Sequence, residues 1–257
     1  MNTFGLSITN PGGELVVSSE ARLLHCIGKA VWQSTVQVSG DATAGKSGKR
    51  VAGYSIYHIT IPADTTNFLM GIDLPNAYIA NSDYWATGIL KVTHLGSNVY
   101  EIKACCGRTY DGYYFDTVQI PVDIWAFGFS PMASNNYGLS LYNSAGVLTA
   151  DFSRTNILFP RFISQDFRVN PAPQTMPLLG RPVIIGMPNY YFGDIYERAT
   201  GYLYDYIHEC TLWARSGTSL KTEKRSLTYY GCNDLNDDAY NTDGSSIGIV
   251  IDGSYLP

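Results

Sequence analysis

Phe4-Gly5-Leu6-Ser7-Ile8-Thr9-Asn10-Pro11-Gly12-Gly13-Glu14-Leu15 returns later in the chain as Tyr137-Gly138-Leu139-Ser140-Leu141-Tyr142-Asn143-Ser144-Ala145-Gly146-Val147-Leu148. Six of the twelve positions are identical, and Phe4/Tyr137 and Ile8/Leu141 exchange like for like. The 133-residue spacing is too long for a solenoid period and reads as one domain duplicated. The expectation is an all-β chain of two tandem antiparallel β-sandwich domains related by internal duplication. They would span residues 1–131 and 137–257, with the polar segment Met132–Asn136 between them.

The residues outside the repeat support strands. Apolar and polar residues alternate in many short runs, and helical periodicity is scarce. The first half offers Gly5–Asn10, Ala30–Val38, Tyr54–Ile61, Phe68–Leu74, Thr87–Leu95, Val99–Cys105 and Asp123–Phe129. The second offers Gly138–Tyr142, Phe167–Val169, Val183–Met187, Thr200–Trp213, Ser226–Cys232 and Ile247–Asp252. Turn residues separate them, as in Leu95-Gly96-Ser97-Asn98 and Thr242-Asp243-Gly244. The second copy has diverged: Pro160, Pro171, Pro173, Pro177 and Pro182 are expected to keep that stretch out of a central strand.

Composition narrows the function classes. Charged residues make up 15% of the 257, against roughly 25% in an average soluble domain. The surface must then be covered by uncharged polar groups and by the twenty tyrosines, which suits burial in an assembly. The net charge is −5, and Lys46-Ser47-Gly48-Lys49-Arg50 is the one basic cluster, so nucleic acid is not an expected partner. No apolar run approaches a membrane span, so no membrane insertion is expected. Met1-Asn2-Thr3-Phe4 opens without a secretory pattern, and synthesis in a cytoplasm is the expectation. Cys26, Cys105, Cys106, Cys210 and Cys232 are odd in number and lack C-x-x-C spacing, which favours free thiols; a Cys210–Cys232 bridge stays open.

Motifs that carry chemistry fail on context. Gly40-Asp41-Ala42-Thr43-Ala44-Gly45-Lys46-Ser47 matches the phosphate-cradling pattern, but that mechanism needs a helix after Ser47. Gly48 and Gly53 and the alternating Tyr54–Ile61 predict a loop and a strand instead. Histidines and cysteines lack zinc spacing and read as surface imidazoles and core thiols. Asn233–Gly244 fails the EF-hand pattern and reads as a solvated hairpin tip. No G-x-S-x-G and no singled-out carboxylate pair is present. The expectation is no enzyme, no catalytic residue, no metal and no cofactor. The remaining signal is aromatic. Tyr202, Tyr204, Tyr206 and His208 alternate along one strand face, and Tyr190 and Tyr191 form a nearby cluster. Tyrosine offers rigid contact area with a polar tip, so these six residues are the candidate contact surface.

At its repeated aromatic-Gly-Leu-x-hydrophobic-x-Asn-x-x-Gly motif the chain resembles a group of tailed-bacteriophage virion proteins, found in tail-tip, baseplate and fibre-associated components. The resemblance covers about a dozen residues per copy. It implies a non-enzymatic structural part of a virion, with other virion proteins and copies of itself as partners and host-surface attachment through a receptor as a second role. A lectin-like carbohydrate-binding module and a glycan-degrading enzyme stand as alternatives.

Overall fold

The computed structural model describes residues 7–9, 15–18, 23–37, 49–51, 53–74, 85–108, 121–129, 139–152, 160–166, 174–175, 179–186, 190–191, 195–197, 204–217, 219–232 and 245–257. Among them the chain is all-β with antiparallel sheets. The first half supplies β1 (Ser7–Thr9), β2 (Leu15–Ser18), β3 (His25–Lys29), β4 (Val31–Val36), β5 (Lys49–Val51), β6 (Tyr54–Thr60), β7 (Thr66–Asp73), β8 (Trp85–Gly96), β9 (Val99–Arg108) and β10 (Ile124–Phe129). The second half supplies β11 (Ser140–Tyr142), β12 (Leu148–Asp151), β13 (Arg161–Asp166), β14 (Gln174–Thr175), β15 (Pro182–Ile185), β16 (Tyr190–Tyr191), β17 (Ile195–Glu197), β18 (Tyr204–Ser216), β19 (Ser219–Cys232) and β20 (Ser245–Asp252). A short 3-10 turn, Gly253–Tyr255, follows β20.

Two large sheets run across the expected domain boundary. One has six strands in the order β13-β20-β15-β7-β10-β3. The other follows the path β14-β19-β18-β8-β9-β6-β4, with β16 and β17 on β18 and β5 on β19. Strands of the two halves meet at β7–β15 in the first sheet, and at β8–β18 and β5–β19 in the second. In the first, Ile72 of β7 faces Ile184 of β15, flanked by Asp73–Val183 and Gly71–Ile185. In the second, Thr87 of β8 faces Trp213 of β18, and Ala86 faces Ala214.

Outward from these junctions the strands follow in matching order. β7, β10 and β3 lie on one side, and β15, β20 and β13 on the other. The hairpin β8–β9 is mirrored by β18–β19. The two short hairpins agree residue for residue. β1–β2 pairs Ser7–Ser18, Ile8–Val17 and Thr9–Leu15, with a register shift at the last step. β11–β12 pairs Ser140–Asp151, Leu141–Ala150 and Tyr142–Leu148, with the shift at the same step. The second turn is held by Asn143, whose Oδ1 accepts from the N–H groups of Ala145 and Val147, and by Gly146 at φ 76°.

Alternation sorts the core. Ile72, Ile124, Ile184 and Val250 of the six-stranded sheet share one cluster with Tyr57, Ile59, Ile89, Ile102 and Trp213 of the other sheet. The intervening residues Trp125, Phe127, Val183, Ile185 and Ile251 form a second cluster on the opposite face of the six-stranded sheet. β10 is therefore buried on both faces, which explains its nearly continuous apolar sequence. Polar bonds join the sheets where side chains cross between them. The Tyr57 hydroxyl accepts from the Val122 N–H at 2.8 Å. Buried Gln165 donates to Leu220 O at 3.3 Å and accepts from the Thr222 N–H at 2.6 Å, which satisfies its amide.

Several sequence expectations are corrected. Pro182 does not keep its segment out of a central strand: it opens β15, which pairs with β20 on one side and β7 on the other. A first-residue proline loses only a donor, and its carbonyl still accepts from the Leu74 N–H. The segment between Pro160 and Pro171 contains β13, a strand absent from the sequence expectation, whereas Phe167–Val169 lies outside the described residues. Cys210 faces Arg225 and Cys232 faces Tyr204. That separation along the ladder is about 20 Å at strand rise, so a Cys210–Cys232 bridge is excluded. His25 is buried, although a surface imidazole was expected.

Candidate functional site: a charged clamp and two exposed edges

Four charged side chains gather at one end of the six-stranded sheet. Asp73 ends β7, Asp123 precedes β10, Arg181 precedes β15 and Lys29 ends β3. The Arg181 Nε donates to Asp73 Oδ2 at 2.8 Å, and its Nη2 lies 2.6 Å from the same oxygen and 2.8 Å from Asp123 Oδ2. Lys29 Nζ sits 2.7 Å from Asp123 Oδ1. Both cations also lie over the ring of buried Trp125, at 5.4 and 5.5 Å from its centroid. One guanidinium thus ties the second half of the chain to two carboxylates of the first.

Burial pushes the Asp73 carboxyl above its ordinary range, and the hydrogen bond and charge of Arg181 pull it only part of the way back. Asp252, at the end of β20, behaves oppositely. Burial pushes it up, but donors from Ser254, Arg181 and Gly180 outweigh burial and hold it below its ordinary value. Its Oδ1 accepts from Ser254 Oγ at 2.6 Å and Ser254 N at 3.0 Å. A second arginine, Arg215 at the end of β18, donates to Leu74 O, Gly180 O and Gly217 O and so fastens the long β18–β19 hairpin to the same end. Chemically the clamp is charge-matched: two carboxylates face two cations, and Arg215 beside them donates to carbonyls. The arrangement holds strand ends together.

The sequence-derived contact residues fall on and beside β18. Tyr206 pairs with Ile195 on one side and Tyr230 on the other. Tyr204 pairs with Glu197 and Cys232, and His208 with Thr228. Tyr190 faces Cys210 and Tyr191 faces Glu209. By register, positions 204, 206, 208 and 190 share a face and 191 takes the other. The shared face is the one bearing Leu212, opposite the face bearing Trp213 of the main core. Tyr202 lies outside the described residues.

The phosphate-like loop 40–47 and the acidic stretch 233–244 also lie outside the described residues. Shortly after Ser47 the chain is strand: Lys49–Val51 pairs with Thr228–Tyr230 of β19. Among the described residues no group of three or more His, Cys, Asp and Glu is placed to hold a metal ion. Neither Cys26 nor Cys105 is in a disulfide, and burial pushes the Cys26 thiol up to about 11. No described helix is long and apolar enough to cross a membrane.

Two sheet edges carry exposed apolar groups. On β4, Val31 is 63% and Trp32 48% exposed, beside a register shift between Trp32 and Ser34. On β13, Phe162 is 72% exposed, and Ile247 of the adjoining β20 is 64% exposed. Sequence reasoning singled out none of Arg181, Asp73, Asp123 and Phe162. The clamp partners lie 58 and 108 residues apart, so no local pattern could signal them.

No family model, no curated protein and no solved structure matches this chain.

Proposed function

We propose that the chain is a non-enzymatic structural component of a bacteriophage tail, at the tail tip or baseplate or associated with a fibre. In this reading it assembles in the virion with other virion proteins and with copies of itself, and contributes to host-surface attachment. Its two large sheets pack as a sandwich around the shared core, and its halves are copies of one strand programme. The observation that carries the reading is the repeated hairpin, β1–β2 and β11–β12, whose sequence motif prompts the virion resemblance and whose register repeats with it. The low charge, the tyrosine-rich composition and the charge-matched clamp support a part that grips rather than transforms. Gold-labelled antibody against the chain, applied to particles from the host that encodes it, should decorate one end of the tail. Label confined to particle-free lysate would remove the reading.

The lectin-like alternative is favoured by one observation, the common register face of Tyr190, Tyr204, Tyr206 and His208. A glycan array probed with the isolated chain separates the two, because a purely structural part binds no glycan.

A further inference from the structure

The two exposed edges differ in how they are protected. An edge strand offers unpaired N–H and C=O groups, and proteins usually blunt it with a bulge, a proline or a lysine. β4 carries the register shift at Gln33, and its Val31–Ser34 segment projects into solvent. β13 has no such device. Among the described residues it pairs only with β20, in unbroken register from Arg161–Val250 to Asp166–Ser245. Neither proline nor lysine occurs within Arg161–Asp166.

We infer that β13 is a self-association edge, where a second copy of this chain adds its own β13 antiparallel and extends the six-stranded sheet across a two-fold axis. Two features favour a second copy. A two-fold normal to the sheet keeps both copies the same way up, so facing residues must share a face. An axis at Ile163 meets that condition. It sets Phe162 against Ser164 of the other copy, whose own partner on β20 is Ile247. The large exposed ring then lies over a small residue and reaches toward the exposed isoleucine, and the two-fold repeats the contact, covering both apolar groups at once. Finally, the chain already joins β7 to β15 in this manner inside one molecule, with Ile72 facing Ile184.

The inference deepens the assembly reading and rests on it for the premise that copies meet in a particle, but the contact itself is a property of the protein in solution. Sedimentation equilibrium of the full chain is expected to show a reversible dimer of the 28.3 kDa protomer. Phe162→Lys and, separately, Ile247→Lys should each weaken association by about tenfold or more, with circular dichroism unchanged. A monomeric parent, or a Phe162→Lys variant that associates as tightly as the parent, would overturn the inference. A dimer lost in Phe162→Lys while tails carry no label keeps the contact and removes the virion reading; labelled tails with a monomeric parent do the reverse.

Discussion

Arg181 shows how a single side chain can join two halves of a chain. Its guanidinium bonds Asp73 and Asp123 while its own backbone precedes β15. Arg181→Met would leave Asp73 mostly buried without its cation, a change that costs about 2–3 kcal/mol at neutral pH when the site is partly solvated. The pH dependence has a definite sign. Burial holds the folded Asp73 above its unfolded value of 3.8, so the ionised form disfavours the fold, and that cost disappears as pH falls through the folded value. Without Arg181 the folded value climbs further. Urea unfolding should therefore show a larger loss for Arg181→Met at pH 7 than at pH 4; equal losses would contradict this account. Asp252 works in the other direction. Its folded value lies below 3.8, so its stabilisation is present above that value and fades as pH drops through the folded value.

At the scale of elements, close packing explains where glycine is needed. A Cβ on Gly71 of β7 would lie 2.8 Å from Phe127 Cε2 and 2.9 Å from Val183 Cγ1, both in the buried outer cluster. Gly71→Ala should cost about 1–3 kcal/mol by overpacking. Gly28→Ala in β3, which meets nothing within 4 Å, should stay near the parent. Thermal melts of the pair check this, and equal melting temperatures would contradict it. β5 bears on the nucleotide question. A strand after Ser47 offers no helix N-terminus to a phosphate, so Lys46→Ala should leave the melting temperature unchanged with or without ATP. An ATP-dependent rise in the parent that the variant loses would contradict that expectation.

Strands whose pattern is local were legible. Tyr54–Thr60 alternates in sequence and in burial, and Gly96-Ser97-Asn98 announces the β8–β9 hairpin through three positive φ angles. β3 and β13 were not legible. β3 offers too little alternation, and β13 sits among prolines that lie outside the strand itself.

The whole molecule is two similar strand sets interlocked through β7–β15 and β8–β18. The repeat of Phe4–Leu15 at Tyr137–Leu148 pointed to such sets, but their mode of joining was illegible, because strand partners at the junctions lie more than a hundred residues apart. Alternation says which face a residue takes, never which strand it meets. The measurement that bears most directly on this joining is the set of backbone nuclear Overhauser contacts across the β7–β15 junction in the full chain. Contacts linking Ile72 with Ile184, Asp73 with Val183 and Gly71 with Ile185 are predicted together. Their absence, with residues 1–131 alone giving the same spectrum as within the full chain, would show two separate bodies and contradict the interlocked arrangement.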